Sequence, residues 1–501
     1  MNIKKHKILT LAEVLTIGVL TASAETIDCT AGKLSEIIGD NTSVTALTVT
    51  GTVNAADLNF IASELQHLDA LDLSGATVEA YSGSPLASGL TVSAANEIPS
   101  YGLMGLMAST LILPEGITAI GESALASSAI SELTIPPTVT TIGNSAFTAS
   151  ALTKADIPAT VTSLGSGVFS NCASLTVVTV SAQLDSISRN CFLNCAALTE
   201  VSLPASVVKI GDSAFAGTSA LTEFTFPQHI MEIGSRAFYM SGLTTIDLSR
   251  QTGVSIGTFA FARDLSLTSV ALPSVASIGE GVFFDDASIK SVSLPASVTE
   301  IPSFTFKGTS SVNPHEIITD GVTSIGDYAL TGWTQVADLK LPASVSYLGD
   351  NSMEGWTSLK SISVQDHTEV PALGENVWEN VDQPEATVYV ANQKMVNAFM
   401  GTPQWDKFKI SMSSVGIDDI TGDTTPTAIE YYFEGTTLVI SSTGADITTV
   451  EIYSIDGRRL YYGSPAAAIA RVNTSAWTPG AIIVTAALAD GKHQAVKLIL
   501  N

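Results

Sequence analysis

The sequence is poor in basic residues. Its 501 residues include 22 lysines and arginines against 48 aspartates and glutamates, which gives a formal net charge of −26 at pH 7. A field of that sign repels a phosphate backbone, so the composition argues against nucleic acid as a partner, and an anionic membrane surface is disfavoured for the same reason. Hydrophobic residues nevertheless make up 45% and charged residues only 14%, which is typical of a chain that folds.

Motifs of catalysis and metal binding are also missing from the sequence. The six histidines are scattered along the chain, without an HExxH, a GxSxG or a serine–histidine–aspartate order. The cysteines Cys29, Cys172, Cys191 and Cys195 form no CxxC pair, and no histidine lies close in sequence to the last three. We therefore predict no catalytic residues, no metal site and no cofactor, and an enzyme remains the weaker alternative class.

A sizeable apolar run is confined to the N-terminus. Three lysines within the first seven residues precede the mostly apolar run 8–20, and Ala22 and Ala24 fit a small-residue cleavage site. This pattern predicts a signal peptide at 1–24 and export, while Glu13 within the run keeps open the alternative of a soluble helical start. No other segment provides the roughly 20 apolar residues of a membrane span. We expect a secreted or outer-surface protein with no membrane span.

A repeat of about 23 residues dominates the sequence. The stretch VSLPASVVKIGDSAF at 201–215 has relatives at steps of 22 to 24 residues. In each, an isoleucine or leucine, usually followed by glycine, precedes a large apolar residue by five positions. A unit of this size cannot bury a core alone, so the units must stack and share one. The pairs are Ile120 and Leu125, Ile142 and Phe147, Leu164 and Phe169, Ile187 and Phe192, Ile210 and Phe215, Ile233 and Phe238, Ile256 and Phe261, Ile278 and Phe283, Ile301 and Phe306, Ile325 and Leu330, and Leu348 and Met353.

The order of residues inside one unit predicts its course. Alternation over 198–203 favours a short strand with one face inward. Pro204 lacks a backbone donor and is expected to end that strand. A second extended piece reaches Ile210, Gly211 permits a tight bend, and Phe215 returns to the interior. The large apolar residues of successive units, which we call the ladder residues, are expected to stack.

These units resemble the BspA-like leucine-rich repeats, which read like LTxVxLPxSVTxIGxxAFxxC. The resemblance covers residues 111–365 and implies a β-rich right-handed solenoid in secreted bacterial proteins, many of them assigned to adhesion. It transfers no catalytic residues. It implies a surface or secreted protein that binds an extracellular protein or glycan, and we expect this protein to be monomeric. The alternatives are a structural surface protein without a specific ligand and a non-catalytic module of an extracellular hydrolytic system.

The ends of the repeat array are expected to be capped, because terminal coils would otherwise expose core. Residues 25–110 predict an N-terminal leucine-rich cap, with strands flanking a helix that begins near Asp57. Residues 366–410 predict a C-terminal α/β cap, in which Trp405 and Phe408 are interpreted as core.

A second region follows the array. Residues 411–428 are small and polar and predict a linker. The alternating strands of 429–501, with turn signals at Asp456-Gly457 and Asp490-Gly491, predict a small all-β sandwich. VEIYSIDGRRL and the later strands resemble the C-terminal sorting domain of type IX secretion; the alternative is a plain accessory sandwich.

Two sets of positions are candidates for the binding surface. The outward positions of the first strands are small or acidic, which is unlike the aromatic and arginine residues of binding hot spots. These positions are Glu132, Lys154, Val177, Glu200, Glu223, Thr245, Ser269, Ser291, Asp338 and Ser361.

The second set is the slot, the position three residues after each ladder residue. Its polar members in the middle coils favour a slot that water partly reaches, so that Trp333 and Trp356 would form a stacked ligand-binding pair for a sugar face or a protein anchor. The alternative is that both rings only cover the solenoid edge, since tryptophan is usually mostly buried. Cys172 and Cys195 occupy the slot in consecutive coils, either as small buried thiols or as a disulfide. The other slot residues considered are Thr218, Ser241, Asp264 and Asp286.

Overall fold

The computed structural model of the protein describes residues 24–309, 311–412, 429–434, 436–442, 445–454, 458–478, 480–490 and 493–500. The predicted signal peptide, apart from Ala24, lies outside the described residues, as do 413–428 of the predicted linker. The described chain forms two compact units. The first comprises the residues up to Val388 with Ala398–Lys409, and the second comprises Tyr389–Asn397 with the residues from Ile410 onward.

The first unit is a β-solenoid of about 17 turns with few helices. Two rows of short strands run along it, because most coils contribute one strand to each row. The coil of Glu132 contributes only an isolated bridge to the first row, and the coil of Glu223, all of whose residues are described, contributes no strand to that row. The first-strand row contains Ala24–Cys29, Ala46–Val53, Ala70–Asp72, Thr110–Ile112, Lys154–Ile157, Val177–Val180, Glu200–Ser202, Thr245–Asp247, Ser269–Ala271, Ser291–Ser293, Asp338–Lys340, Ser361–Ser363, Thr387–Val390 and Lys409–Met412.

The second-strand row ends at the isoleucine or leucine of each repeat. Its strands are Glu97–Ile98, Ala119–Ile120, Thr141–Ile142, Ser163–Leu164, Ser186–Ile187, Lys209–Ile210, Glu232–Ile233, Val254–Ile256, Ala276–Ile278, Glu300–Ile301, Ser324–Ile325, Tyr347–Leu348 and Ala372–Leu373. The remaining strands of the unit are Ala76–Val78, Tyr81–Ser82 and Val92–Ser93. Its helices are Leu34–Ile38, Ala55–Glu64 and Pro314–Ile317, with 3-10 turns at Gln383–Glu385 and Trp405–Lys407, and helix Gln393–Met400 straddles the boundary between the units.

The strands pair in the register that the repeat predicts. Lys154 lies beside Val177, which lies beside Glu200, so equivalent residues of successive coils form straight rows. Along Lys154–Ile157 exposed and buried residues alternate, which points the apolar side chains inward. The predicted outward positions are confirmed as exposed, except that Val177 and Ser361 are half-buried.

The expected ladder of aromatic rings is confirmed. From Phe147 to Phe306 the ladder rings of successive coils stack with centroids 5.2 to 6.2 Å apart and with interplanar angles of 2 to 21°. Each ring is fully buried. A stacked pair contributes about 0.5–1.5 kcal/mol beyond the area it buries, so the ladder also ties each coil to the next. The coils continue beyond 111–365, because Ile98 with Leu103 and Leu373 with Trp378 repeat the same spacing and lie in the same rows.

The glycine that follows the second strand has a steric role. A Cβ on Gly211 would lie 2.7 Å from the backbone nitrogen of Arg189 in the preceding coil. Close packing of coils therefore excludes a side chain there, whereas the sequence suggested that glycine is needed for a tight bend. The left-handed conformations lie instead three and seven residues after the isoleucine, at Ser213 (φ 52°) and Gly217 (φ 73°) in this coil.

Both ends of the first unit are well packed. The helix predicted to begin near Asp57 is Ala55–Glu64, and Asn54 caps it. The buried Asp57 carboxylate also accepts hydrogen bonds from the backbone of Gly32 and Leu34, at 2.6 and 2.9 Å. At the other end Trp405 and Phe408 are buried, as their interpretation as core residues requires.

The second unit contains two antiparallel sheets. One is formed by Ile429–Glu434, Thr437–Ser442 and Ile469–Asn473, and the other by Arg459–Gly463, Ile447–Ser454, Gly480–Leu488 and His493–Leu500. Buried apolar residues of both sheets belong to one cluster, which includes Leu438, Val450 and Val484. The predicted turn at Asp456-Gly457 lies outside the described residues, as does Gly491 of the second turn signal.

Candidate functional site

The slot is buried, which contradicts the expectation that water partly reaches it. Thr218, Asp264, Asp286, Trp333 and Trp356 all have an exposed fraction of 0%. The reason is that most slot side chains face a ladder residue's carbonyl oxygen inside the solenoid. Thr218 donates to the ladder carbonyl of its own coil, at 2.7 Å from Phe215 O.

Other slot residues donate a hydrogen bond to the ladder carbonyl of the preceding coil. Thiols, hydroxyls and indole N–H groups serve equally, which explains why such different residues share one position. The bonds are Cys172 Sγ to Phe147 O at 3.0 Å, Cys195 Sγ to Phe169 O at 3.1 Å, Thr309 Oγ1 to Phe283 O at 2.8 Å, Trp333 Nε1 to Phe306 O at 2.9 Å and Trp356 Nε1 to Leu330 O at 2.8 Å.

Trp333 and Trp356 stack on each other inside the solenoid. Their ring centroids are 6.0 Å apart and their planes differ by 6°. The pairing that the spacing predicted is therefore present, but both rings are fully buried. A ligand cannot touch them while these coils are closed, so the geometry favours the alternative in which they are packing residues.

The cysteines are free, buried thiols. Cys172 and Cys195 donate to ladder carbonyls as described above, and burial raises the pKa of the Cys191 thiol to about 12. Small buried thiols, and not a disulfide, are thus what the packing shows.

An exposed aromatic surface lies at the turns that follow the second strands. These turns are hydrogen-bonded from coil to coil, for instance from Arg263 N to Phe284 O at 2.8 Å, which sets their outward side chains in rows. The coils that begin at Ile233 and end with the turn after Ile325 carry large residues there. We call these residues the turn patch: Arg236, Tyr239, Met240, Phe259, Arg263, Phe284, Asp285, Phe304, Lys307 and Tyr328.

Cations cover aromatic rings at the far end of the turn patch. Phe304 and Tyr328 stack with centroids 5.2 Å apart and an interplanar angle of 4°. The ammonium of Lys307 lies 4.6 Å from the centre of the Tyr328 ring and 5.8 Å from that of Phe304. Such contacts contribute about 0.5–1 kcal/mol at exposed sites. They hold a lysine side chain in a fixed position on the surface.

The near end of the turn patch combines rings with arginines. Phe259 meets Phe284 edge to face at 5.7 Å, and the guanidinium of Arg236 lies 6.0 Å from the centre of the Phe259 ring. Arg263 links two further side chains, since it donates to the hydroxyl of Tyr239 at 3.3 Å and to the carboxylate of Asp285 at 3.4 Å. The patch therefore combines half-buried rings with the exposed guanidinium groups of Arg236 and Arg263 and the half-buried ammonium of Lys307.

Several of these large residues occupy left-handed backbone conformations. Arg236, Phe259, Phe304 and Tyr328 have φ values of 56, 55, 62 and 56°. Other coils place serine, asparagine or glycine at the equivalent position, as at Asn190, except that the coil of Ile98 has Tyr101 there. For a residue with a Cβ this conformation costs roughly 1–2 kcal/mol. A left-handed residue recurs at this turn along the array, so the size of the side chains, and not the conformation, distinguishes the turn patch.

The sequence interpretation missed the turn patch. The strands and the slot were the predicted binding positions, and the turns were predicted only as bends. A signal was nevertheless present, because Phe259, Phe304 and Tyr328 recur in the repeat frame at a position that the core does not use. Periodic aromatic residues outside the core positions would have located the patch.

A smaller polar depression lies near the end of the coils. It encloses about 300 Å³ and is lined by Glu375, Trp378, Gln383, Gln404 and Lys407 among others. The Gln404 amide bridges two backbone groups of the wall, accepting from Val377 N at 2.9 Å and donating to Gly374 O at 2.7 Å. Within the described residues there is no cluster of three or more histidine, cysteine or acidic side chains that suits a metal ion. Of the helices in that part of the chain, none is both long and apolar enough to cross a bilayer.

Known proteins resemble the chain through its repeats. The model of the BspA type leucine rich repeat region matches residues 96–220, 185–313, 254–385 and 314–418. A leucine-rich repeat protein from Bacteroides ovatus is 20% identical, with a TM-score of 0.57, and the match covers 74% of this chain and 88% of that chain.

A leucine rich cell surface protein from Faecalibacterium prausnitzii is 21% identical, with a TM-score of 0.38, over 59% of this chain and 87% of that chain. No curated protein matches. Because the family model covers more than half of the sequence, the chain belongs to the BspA-type leucine-rich repeat proteins.

Proposed function

We propose that this chain is an exported surface or secreted binding protein, and that the turn patch is where it contacts its partner. The single observation that carries the proposal is the patch itself, two clusters of rings and cations on neighbouring coils, with several of their residues at left-handed backbone positions. Membership of the BspA-type family and the signal-peptide pattern support the extracellular setting. The chain acts by binding and not by catalysis.

We propose an extracellular protein as the partner. Aromatic residues, methionine and arginine are the types enriched at the centres of protein interfaces, and Tyr239, Met240, Phe259 and Arg263 supply them side by side. A glycan is the second candidate. Sugar rings stack on open aromatic faces, and here the faces of Phe304 and Tyr328 are turned toward each other and toward Lys307.

The test compares three forms of the mature chain on an array of extracellular proteins and glycans. In the patch variant, Phe304→Ser and Tyr328→Ser remove the stacked rings. In the control variant, Tyr347→Ser removes an aromatic residue that is 40% exposed but lies on the second-strand row. We expect partners of the wild type to be lost by the patch variant alone.

Outcomes on the array separate the alternatives. Binding to glycans and not proteins would reverse the assignment of partner class. Retention of every partner by the patch variant would refute the patch as the binding surface. A blank array for the wild type would contradict a binding function and favour a purely structural surface role.

We also propose that export and surface sorting involve the two ends of the chain. The expected signal peptide predicts a mature N-terminus at Glu25, which mass spectrometry of the secreted protein would identify. The region 429–501 is proposed to be a β-sandwich with the role of a type IX sorting domain. Deleting it would then retain the protein inside the producing cell, whereas unchanged export would leave it an accessory domain.

A further inference from the structure

Two carboxyl groups lie in the core of the solenoid directly beneath the turn patch. Asp264 and Asp286 occupy the slot in adjacent coils, and both are fully buried. They immediately follow Arg263 and Asp285, which are turn-patch residues linked by an ion pair. Burying an ionised carboxylate is costly unless it is fully paired, so their protonation state bears on the stability of these coils.

Each carboxyl group is satisfied on one oxygen only. Asp264 Oδ2 accepts from the Ser241 hydroxyl and from Leu243 N, the latter at 3.1 Å. Asp286 Oδ1 accepts from the backbone nitrogen of Asp264 at 2.7 Å. Asp264 Oδ1 and Asp286 Oδ2 are buried without a hydrogen-bond partner among the described residues.

Other slot residues act as hydrogen-bond donors, whereas the two unpartnered carboxylate oxygens have no proton to donate when ionised. Ser241, in the preceding coil, donates its hydroxyl proton to Asp264. Thr309, in the following coil, donates to the ladder carbonyl of Phe283, and elsewhere a thiol or an indole N–H donates to a ladder carbonyl. A carboxylate has no proton to donate, whereas a protonated carboxyl group has one. Protonation therefore turns aspartate into the kind of donor that the slot uses elsewhere, and it removes the buried charge.

We propose that Asp264 and Asp286 are held protonated in the closed solenoid, and that their ionisation loosens the coils beneath the turn patch, which makes this part of the solenoid a pH-sensitive element. The proton leaves for solvent when the coils open. The effect on the solenoid is independent of any ligand. Its consequence for binding rests on the proposed function of the turn patch.

The electrostatic environment sets the direction of this response. Burial raises the pKa of Asp264 from 3.8 to about 7. Burial also raises the pKa of Asp286 well above 3.8, and the negative charges of Asp264 and Asp285 raise it further. Arg263 is the cation of the same segment, and it is exposed and donates to Tyr239 and Asp285 at the surface.

The sign of the linkage follows from these shifts. The folded state binds these protons more tightly than the unfolded state does, so stability is greatest in acid and falls as the pH rises above 3.8. Above the folded pKa of each carboxyl group, the free energy of unfolding falls no further on its account. The window from about pH 5 to 8 therefore spans the ionisation of Asp264.

The first experiment measures amide hydrogen exchange of the full-length protein at pH 5 and pH 8, corrected for intrinsic exchange. We expect the opening equilibrium of coils 233–309 to be at least about tenfold greater at pH 8 than at pH 5, since opening rises about tenfold for each pH unit between the unfolded pKa of 3.8 and the folded pKa of Asp264 of about 7. Coils 111–200 serve as the internal reference and are expected to change much less. Equal pH responses in both segments would overturn the proposal.

The second experiment replaces the acids with donors that the slot already accepts, in the variant Asp264→Ser with Asp286→Thr. Serine occupies the slot at Ser241 and threonine at Thr309, so the variant is expected to fold. We expect it to lose the extra opening at pH 8. The exposed Asp338→Asn is the control and should keep the wild-type response. A pH response that survives in the double variant would refute the role of these two carboxyls.

A spectroscopic measurement keeps the proposal testable even if the double variant folds poorly. The infrared band of a protonated carboxyl group should be present in the wild type at pH 6, where exposed aspartates and glutamates are ionised. Asp338→Asn should leave it unchanged, and Asp264→Asn should weaken it. Absence of the band at pH 6 would contradict the proposal whatever the variants do. Persistence of pH-dependent opening in a chain that binds nothing would leave this inference intact while refuting the proposed function.

Discussion

Replacing Trp333 with serine is expected to destabilise the solenoid strongly. The side chain is fully buried, stacks on Trp356 and donates to Phe306 O. A buried tryptophan removes about 150–250 Å² from water, which at about 25 cal/mol per Å² corresponds to roughly 4–6 kcal/mol. Serine can supply a hydroxyl to the carbonyl but leaves a cavity that the regular coils cannot easily close.

The expected loss of unfolding free energy is therefore about 3–5 kcal/mol for Trp333→Ser. Trp356→Ser should cost about the same, and the double variant less than the sum, because the two rings are each other's neighbours. Urea unfolding followed by circular dichroism measures this. Hydrogen exchange should place the change in coils 301–377, because coils of a repeat protein depend on their neighbours.

Tyr347→Ser is the matched control for this prediction. It removes an aromatic ring from the same part of the solenoid, but one that is 40% exposed, so its effect should stay within about 1 kcal/mol. The reasoning would be refuted if Trp333→Ser unfolded at the same urea concentration as the wild type. That result would mean that the rings are not packed in the core and would revive them as a ligand-binding pair.

Three further predictions concern a glycine, a buried aspartate and the cysteines. Gly211→Ala should cost about 1–3 kcal/mol, because its Cβ would meet the preceding coil at 2.7 Å, whereas Gly116→Ala, with nothing within 4 Å, should be close to neutral; thermal unfolding of the pair decides this, and equal melting would contradict the steric argument. Asp57→Ala should cost about 3 kcal/mol in the same assay, because buried backbone N–H groups lose their acceptor; an unchanged melting point would show that water replaces the carboxylate. The four cysteines should resist thiol reagents in the native protein and react fully after unfolding, since they are buried and the pKa of Cys191 is raised to about 12; fewer than four thiols after unfolding would indicate a disulfide.

The fold could be predicted from the sequence because the spacing within each repeat is constant and determines which residues face the core. A constant five-residue offset from the isoleucine to the ladder residue, as from Ile210 to Phe215, places both in the core of every coil. Parallel register then follows from stacking identical units. The outward first-strand positions follow too, because side chains alternate along a strand.

The environment of the slot could not be predicted in the same way. Polar residues at Thr218, Ser241 and Asp264 suggested access to water, which is the usual reason for polarity at a repeat position. The structure gives another reason, since several slot side chains, such as Thr218, donate a hydrogen bond to a ladder carbonyl inside the solenoid. These hydrogen bonds depend on the distance and orientation between successive coils. The spacing of residues in the sequence does not give that geometry.

The division of positions within a coil explains why the turn patch is the plausible place for recognition. The isoleucine, the glycine and the ladder residue are fixed by packing, and the first strands carry small or acidic side chains outward. At the turns, glycine or asparagine satisfies the left-handed backbone at low cost, as Asn190 does. Phe259, Phe304 and Tyr328 bring no comparable advantage to the core, because their rings are only half-buried. Their strain is offset in part by contacts with each other and with cations, and this leaves a rigid aromatic surface on a solenoid that is acidic as a whole.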